Sequence, residues 1–171
     1  MSAPPYRGEG AHALWHVSED SAIERFEPRH GRVWAIDTRH LPLYWFPRDC
    51  PRATFWAVDE TTDDDVDRLL GGDRTRRVHV VEPAWLERLR GARLFAYQLP
   101  DATFEPEDRY WTSSTAVEPI RCIELADLLA THAAAEIELR IAPKLLELWD
   151  RVVSSTLDFS GIRLRNATLA R

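Results

Sequence analysis

Leu14-Trp15-His16-Val17-Ser18, then Ile23-Glu24-Arg25-Phe26-Glu27-Pro28-Arg29, then Arg32-Val33-Trp34-Ala35-Ile36-Asp37, then Leu41-Pro42-Leu43-Tyr44-Trp45 is the stretch on which the fold turns. Residues 13–18 alternate. Trp15 and Val17 fall on one face and Leu14, His16 and Ser18 on the other, the pattern of a half-buried strand. Residues 21–26 predict one helical turn stopped by Pro28. Residues 32–36 predict a second strand that sets Trp34 beside His16, and residues 40–46 a short helix.

Outward from that stretch, Pro and Gly punctuate short elements. Strands are expected at 53–58, 77–81, 93–99, 110–113, 119–123 and 137–141. Helices are expected at 66–70, 85–90, 125–131 and from Pro143 to 157. Asp63, Asp64 and Asp65 at the start of the first helix and Gly71-Gly72 at its end suit the helix dipole and a left-handed C-terminal residue. In the last helix Leu145, Leu146, Trp149, Val152, Val153 and Leu157 recur at helical spacing. Leu145, Trp149 and Val153 are its expected packing face. Residues 101–109 read as a polar loop. The expected architecture is a single α+β domain over 13–171, a split, twisted sheet of short strands with interspersed helices. Residues 1–12 read as a flexible tail.

Composition bounds the function. A chain of 171 residues, 44% hydrophobic, supports one real core. Seven Trp place large aromatics in the core or in a cavity wall. A net charge of −6 and a pI near 5.5 argue against binding a nucleic-acid backbone. No stretch reaches the length of a membrane span, and the first ten residues lack the cationic-then-apolar pattern of a signal peptide. Cys50 and Cys122 have no metal-ligand spacing and are expected as reduced thiols of a cytoplasmic protein. Arg48 and Arg52 beside Cys50 would favour its thiolate, but no phosphatase-like loop follows.

Familiar catalytic motifs are absent: no Gly-x-Ser-x-Gly, no phosphate loop, no His-Glu-x-x-His and no dinucleotide glycine fingerprint. The histidines at 12, 16, 30, 40, 79 and 132 are scattered. His12 and His16 would share a face if the first strand began early, but two ligands make no zinc site, so no metal is expected. The Ser160-to-Asn166 tail reads as extended, with Arg163 and Arg165 on one side, able to grip a phosphate or carboxylate or simply to pair with surface acids.

The order Leu14-Trp15-His16-Val17-Ser18, Ile23, Phe26, Pro28, Arg29, Val33-Trp34-Ala35 resembles the opening of the ADP-ribosyltransferase-like fold. The resemblance continues through Leu94–Pro100, Tyr110–Ser113 and Val117–Ile120. It implies NAD as ligand. His16, the one catalytic candidate, would orient a ribose hydroxyl. Trp34 would stand in place of the family's tyrosine, and Tyr44 would help enclose the ring. Ser18 follows in the same strand. Arg163 and Arg165 would serve a pyrophosphate if the tail docks beside the His16 strand. Two departures matter. Val17 replaces the family's glycine, and no acid opens the strand of Tyr110-Trp111, where the resemblance places a catalytic glutamate. Glu107 precedes that strand and Glu118 follows it.

Taken whole, the chain also resembles a family of uncharacterised bacterial proteins, a domain of unknown function. Trp15-His16-Val17-Ser18-Glu19, Phe26-Glu27-Pro28-Arg29, Pro47-Arg48-Asp49-Cys50-Pro51-Arg52 and Phe159–Asn166 carry that resemblance. Two readings stay open: a nucleotide-binding domain, with NAD as the small-molecule partner, or a non-catalytic binding or protein-interaction module on the same fold. Oligomeric state has no signature in the sequence.

Overall fold

The computed structural model describes residues 3–7 and 13–168, an α+β chain with ten strands and four α-helices among them. Its contacts divide into two compact units, each built from two segments: Met1–Arg48 with Ala92–Leu128, and Asp49–Gly91 with Leu129–Arg171. The expected tail of residues 1–12 lies outside the described residues at 1, 2 and 8–12. Within 3–7, the Tyr6 ring meets Trp45 edge-on at 6.4 Å. His12 is also outside the described residues.

The first unit holds β1 (Leu14–Ser18), β2 (Val33–Asp37), β5 (Arg93–Leu99), β6 (Glu105–Glu107), β7 (Tyr110–Ser113) and β8 (Arg121–Ala126). They form one sheet in the order β6-β7-β2-β1-β5-β8, every neighbour antiparallel. A central strand must bury both edges and much of both faces, and β1 has the sequence for it: Leu14 and Trp15 are fully enclosed. Leu14, Phe26, Val33, Ala35, Tyr97 and Leu99 lie in one buried cluster. Residues 21–26 form no helix. Phe26 instead bridges Val117, with N–H···O distances of 2.8 and 3.0 Å in the two directions, and buries its ring. A single isolated turn pays the nucleation cost of a helix for one hydrogen bond. Two long-range bonds and a buried ring outweigh it.

The second unit holds β3 (Arg52–Trp56), β4 (Arg77–Val81), β9 (Ile137–Ile141) and β10 (Asp158–Ile162) in the order β10-β3-β4-β9, with β4 and β9 parallel. Its helices are α1 (Asp63–Leu70), α2 (Leu86–Gly91), α3 (Leu128–Ala134) and α4 (Leu145–Val153). Leu128, the first residue of α3, ends the first unit. Thr62 caps α1 through the Asp65 N–H, and Gly71 ends it at φ 65°. Phe55, Leu69, Leu70, Val78, Val80 and Leu145 fill the core.

α4 is shorter than expected, and its face is rotated. Leu145 and Val152 are buried, Trp149 packs at their side, and Val153 is exposed. At 100° per residue, 145, 149 and 152 fall within one narrow stripe, whereas 153 lies at its rim. Leu125, expected in a helix, belongs to β8, and β6 occupies part of the expected 101–109 loop. Gly161 is set so close to Trp149 and Leu164 that an added Cβ would lie 2.6 and 2.7 Å from their carbons.

No helix among the described residues is long and apolar enough to cross a membrane.

Candidate functional site

The first unit's sheet opens next to β1. The β1–β2 ladder pairs Leu14 with Asp37 and Trp15 with Ile36, then stops. On its other edge β1 stays paired with β5 along its whole length, through His16↔Tyr97 to Ser18↔Phe95. The two strands that would have continued the ladder therefore part at His16, leaving a split with a strand edge on each side. A split of this kind exposes backbone donors and acceptors that a ligand can use. It holds a cleft of about 300 Å³, lined by Trp15, His16, Val17, Trp34, Ala35, Ile36, Tyr44 and Tyr110.

His16, Trp34 and Tyr44, from three separate segments, thus line one cleft. His16 is half-buried, and its Nδ1 lies 2.9 Å from the Trp34 carbonyl oxygen. A carbonyl only accepts, so Nδ1 is assigned the proton, and in the neutral ring Nε2 keeps its lone pair. Burial is the main cause that pulls the His16 pKa below the usual value. The bond to the Trp34 carbonyl opposes that shift, and the charges of Arg48 and Arg29 add to it. The ring rests 4.8 Å from Phe26, which in turn meets Tyr97 at 5.4 Å. Tyr97 is anchored on both sides: its hydroxyl donates to the Asp20 carbonyl at 2.8 Å and accepts from the Ile23 N–H at 3.2 Å. The lowered pKa favours the neutral ring, and that ring rests on the buried aromatics Phe26 and Tyr97.

The opposite wall is aromatic too. Trp34, 41% exposed, meets Tyr110 edge-on at 5.7 Å. The Tyr44 hydroxyl donates to that of Tyr110 at 3.2 Å. Tyr110 opens β7, at the position where the resemblance places a glutamate, and no motif in the sequence marks it. The signal was an aromatic at the first position of that strand.

Neither flanking acid lines the cleft. Glu107 is ion-paired with Arg32 and accepts from Thr112, which holds its carboxyl below the usual range. Glu118 pairs with Arg25.

Ser18, Arg163 and Arg165 are the remaining expected residues. Ser18 is buried, and its Oγ accepts from the Asp20 N–H at 3.1 Å, closing the turn after β1. It is not a lining residue. Arg163 and Arg165 belong to the second unit. Arg163 sits at φ 57°, and a 3-10 turn over Leu164–Asn166 follows, so the tail is not extended there. The Arg163 Nε is 4.0 Å from Asp49.

Cys50 and Cys122 are free thiols. Burial pushes Cys50 up to about 12 against the pull of Arg52, which marks it as structural and unreactive at neutral pH. No group of three or more His, Cys, Asp or Glu among the described residues could hold a metal ion.

A family of unknown function, DUF6886, matches residues 15–167, and the chain belongs to that family. No curated protein and no solved structure matches the chain.

Proposed function

We propose that the cleft between β1 and β2 binds a nucleotide-type ligand, with NAD the member that the sequence resemblance suggests, on a sheet of ADP-ribosyltransferase-like type. The observation that carries this reading is the convergence of His16, Trp34 and Tyr44 on one cleft of about 300 Å³. That volume suits a ring with its ribose, at the small end of ligand sites. The placement of the strands adds support. Residues 14–18, 33–35, 94–99 and 110–113, on which the resemblance rests, all fall in one sheet, while β3 and β4, which interrupt them in sequence, fall in the other.

The chemistry of each wall suits this ligand. Trp34 and Tyr110 offer π-faces and edges to a planar ring. The unpaired edges of β1 and β2 offer amide groups to a carboxamide or a base. His16 Nε2 offers a lone pair to a ribose hydroxyl.

Binding without group transfer is the better supported form. Glycosidic cleavage develops positive charge on the ribose, and a carboxylate nearby stabilises it. Among the described residues no Asp or Glu lines the cleft, and Tyr110 takes the expected position. Calorimetry with NAD tests the reading. The expected result is saturable heat at a Kd of about 1 mM or tighter, lost in Trp34→Ala, with no nicotinamide released from labelled NAD. No heat and no thermal shift at millimolar NAD would remove it.

A further inference from the structure

We infer that Tyr110 is a ligand-binding residue of the cleft, its hydroxyl donating to a carbonyl on the bound ring, so that the cleft selects rings that carry a carboxamide or oxo group. The inference rests on the cleft reading and adds a binding residue and a ligand class to it.

Strand register brings Tyr110 to the cleft. β2 pairs with β7 through Val33↔Ser113, Trp34↔Thr112 and Ala35↔Trp111. Tyr110, two residues from Thr112, therefore projects from the same face as Trp34 and is its diagonal neighbour. The two rings meet at 5.7 Å and 88°. On the other edge of β7, Tyr110 pairs with Glu107 of β6. Ile36, two residues from Trp34, and Trp15, paired opposite Ile36, share this face and line the same cleft. Arg32 covers the Trp34 ring at 5.7 Å but is ion-paired with Glu107. Among the described residues no Asp, Glu, Lys or Arg lines the cleft. A wall without charge favours an uncharged polar group on the ligand, because a buried charge needs a partner.

The hydrogen bonds of the wall set what Tyr110 can give. A phenol hydroxyl has one proton to donate and lone pairs that accept. The Tyr44 hydroxyl donates to the Tyr110 oxygen at 3.2 Å, so Tyr110 keeps its own proton. Among the described residues no acceptor takes that proton. Tyr110 is half-buried, and a ring seated against Trp34 would cover its hydroxyl and displace water from it. The Trp15 indole N–H is given to Thr38 at 2.8 Å. His16, with its proton assigned to the Trp34 carbonyl, presents an acceptor. The Tyr110 O–H thus supplies a donor to a wall whose histidine accepts. A carbonyl on the ring satisfies that donor. A ring without one leaves a covered hydroxyl unsatisfied, which costs more than a made bond gains.

The test compares NAD with thionicotinamide adenine dinucleotide, in which sulfur, a weak acceptor, replaces the carboxamide oxygen. Calorimetry reads both affinities. The wild-type chain is expected to bind NAD about 3- to 10-fold tighter than the sulfur analogue, the usual worth of one neutral hydrogen bond. Tyr110→Phe keeps the ring that packs on Trp34 and removes only the hydroxyl. This variant is expected to hold its melting temperature, to bind the sulfur analogue as before and to lose the preference for NAD. Equal affinity of the wild-type chain for the two dinucleotides, or a Tyr110→Phe variant that keeps the preference, overturns the inference and leaves the cleft reading standing. Failure of both dinucleotides to bind overturns the cleft reading and the inference together.

Discussion

His16 in the first unit and His79 in the second are both driven towards the neutral form by burial, yet their surroundings differ. His79 lies in the middle of β4, paired with Thr54 on one side and Leu139 on the other, with none of its surface exposed. Its Nδ1 is 3.0 Å from His132 Nε2. Two ring nitrogens at that distance share one proton, one donating and one accepting, so the two rings cannot both be protonated. Burial is the main cause of the lowered His79 pKa, and His132, Arg77 and Arg52 add to it. His16 shifts in the same direction for the same main reason, but its ring borders a cleft. The shift alone therefore separates nothing. Burial tunes core histidines and site histidines alike, and what marks a site is the open volume and the acceptor left facing it.

The comparison makes graded predictions about stability. The largest concerns aromatics. Phe55, fully buried in the second unit, should cost about 3–5 kcal/mol when truncated to Ala, by lost burial and the cavity left behind. Trp34, the larger ring, should cost less, about 1–2 kcal/mol when truncated, because 41% of it is exposed. Urea unfolding measures both. A Trp34→Ala loss as large as that of Phe55→Ala would make Trp34 a core residue and break the contrast.

A smaller effect separates the histidines by pH. His79 has a folded pKa well below that of the unfolded chain. As pH falls below about 6.5, the unfolded chain takes up a proton that the folded chain refuses, so stability falls. It is fully present above that value and is lost downward, at up to about 1.4 kcal/mol per pH unit for one group, until the folded pKa is reached. His16, lowered for the same main reason, adds a loss of the same sign. Urea midpoints between pH 7 and 5 should decline in wild type, and His16→Gln should keep most of the slope. A slope abolished by His16→Gln would assign the burial penalty to the wrong histidine.

Much of this could be read in the sequence, for physical reasons. The β-branched and aliphatic residues of 77–81 and 137–141, alternating with polar ones, mark strands. Thr62, the acidic first turn and Gly71 specify α1 locally. His16, Trp34 and Tyr44 were legible as a group because motif order brought them forward. What remained hidden depends on distant partners. Phe26 left its helical turn for Val117, 91 residues on. The strand over 105–107, which is Glu-Pro-Glu, carries no alternation and exists as a neighbour of β7. The end of the β1–β2 ladder after Trp15 has no local signature, and that break creates the cleft. Tyr110 was hidden by the expectation of an acid, and Arg163 by a backbone reversal at a residue that is not glycine.

The central claim is that the first unit's histidine meets a ligand and the second unit's buried pair does not. Ring resonances of labelled histidines followed during an NAD titration test it most directly. The account predicts saturable movement of the His16 ring signals, with those of His79 and His132 unmoved. Movement of the His79 and His132 signals with His16 unchanged, or no movement of any ring at millimolar NAD, would contradict it.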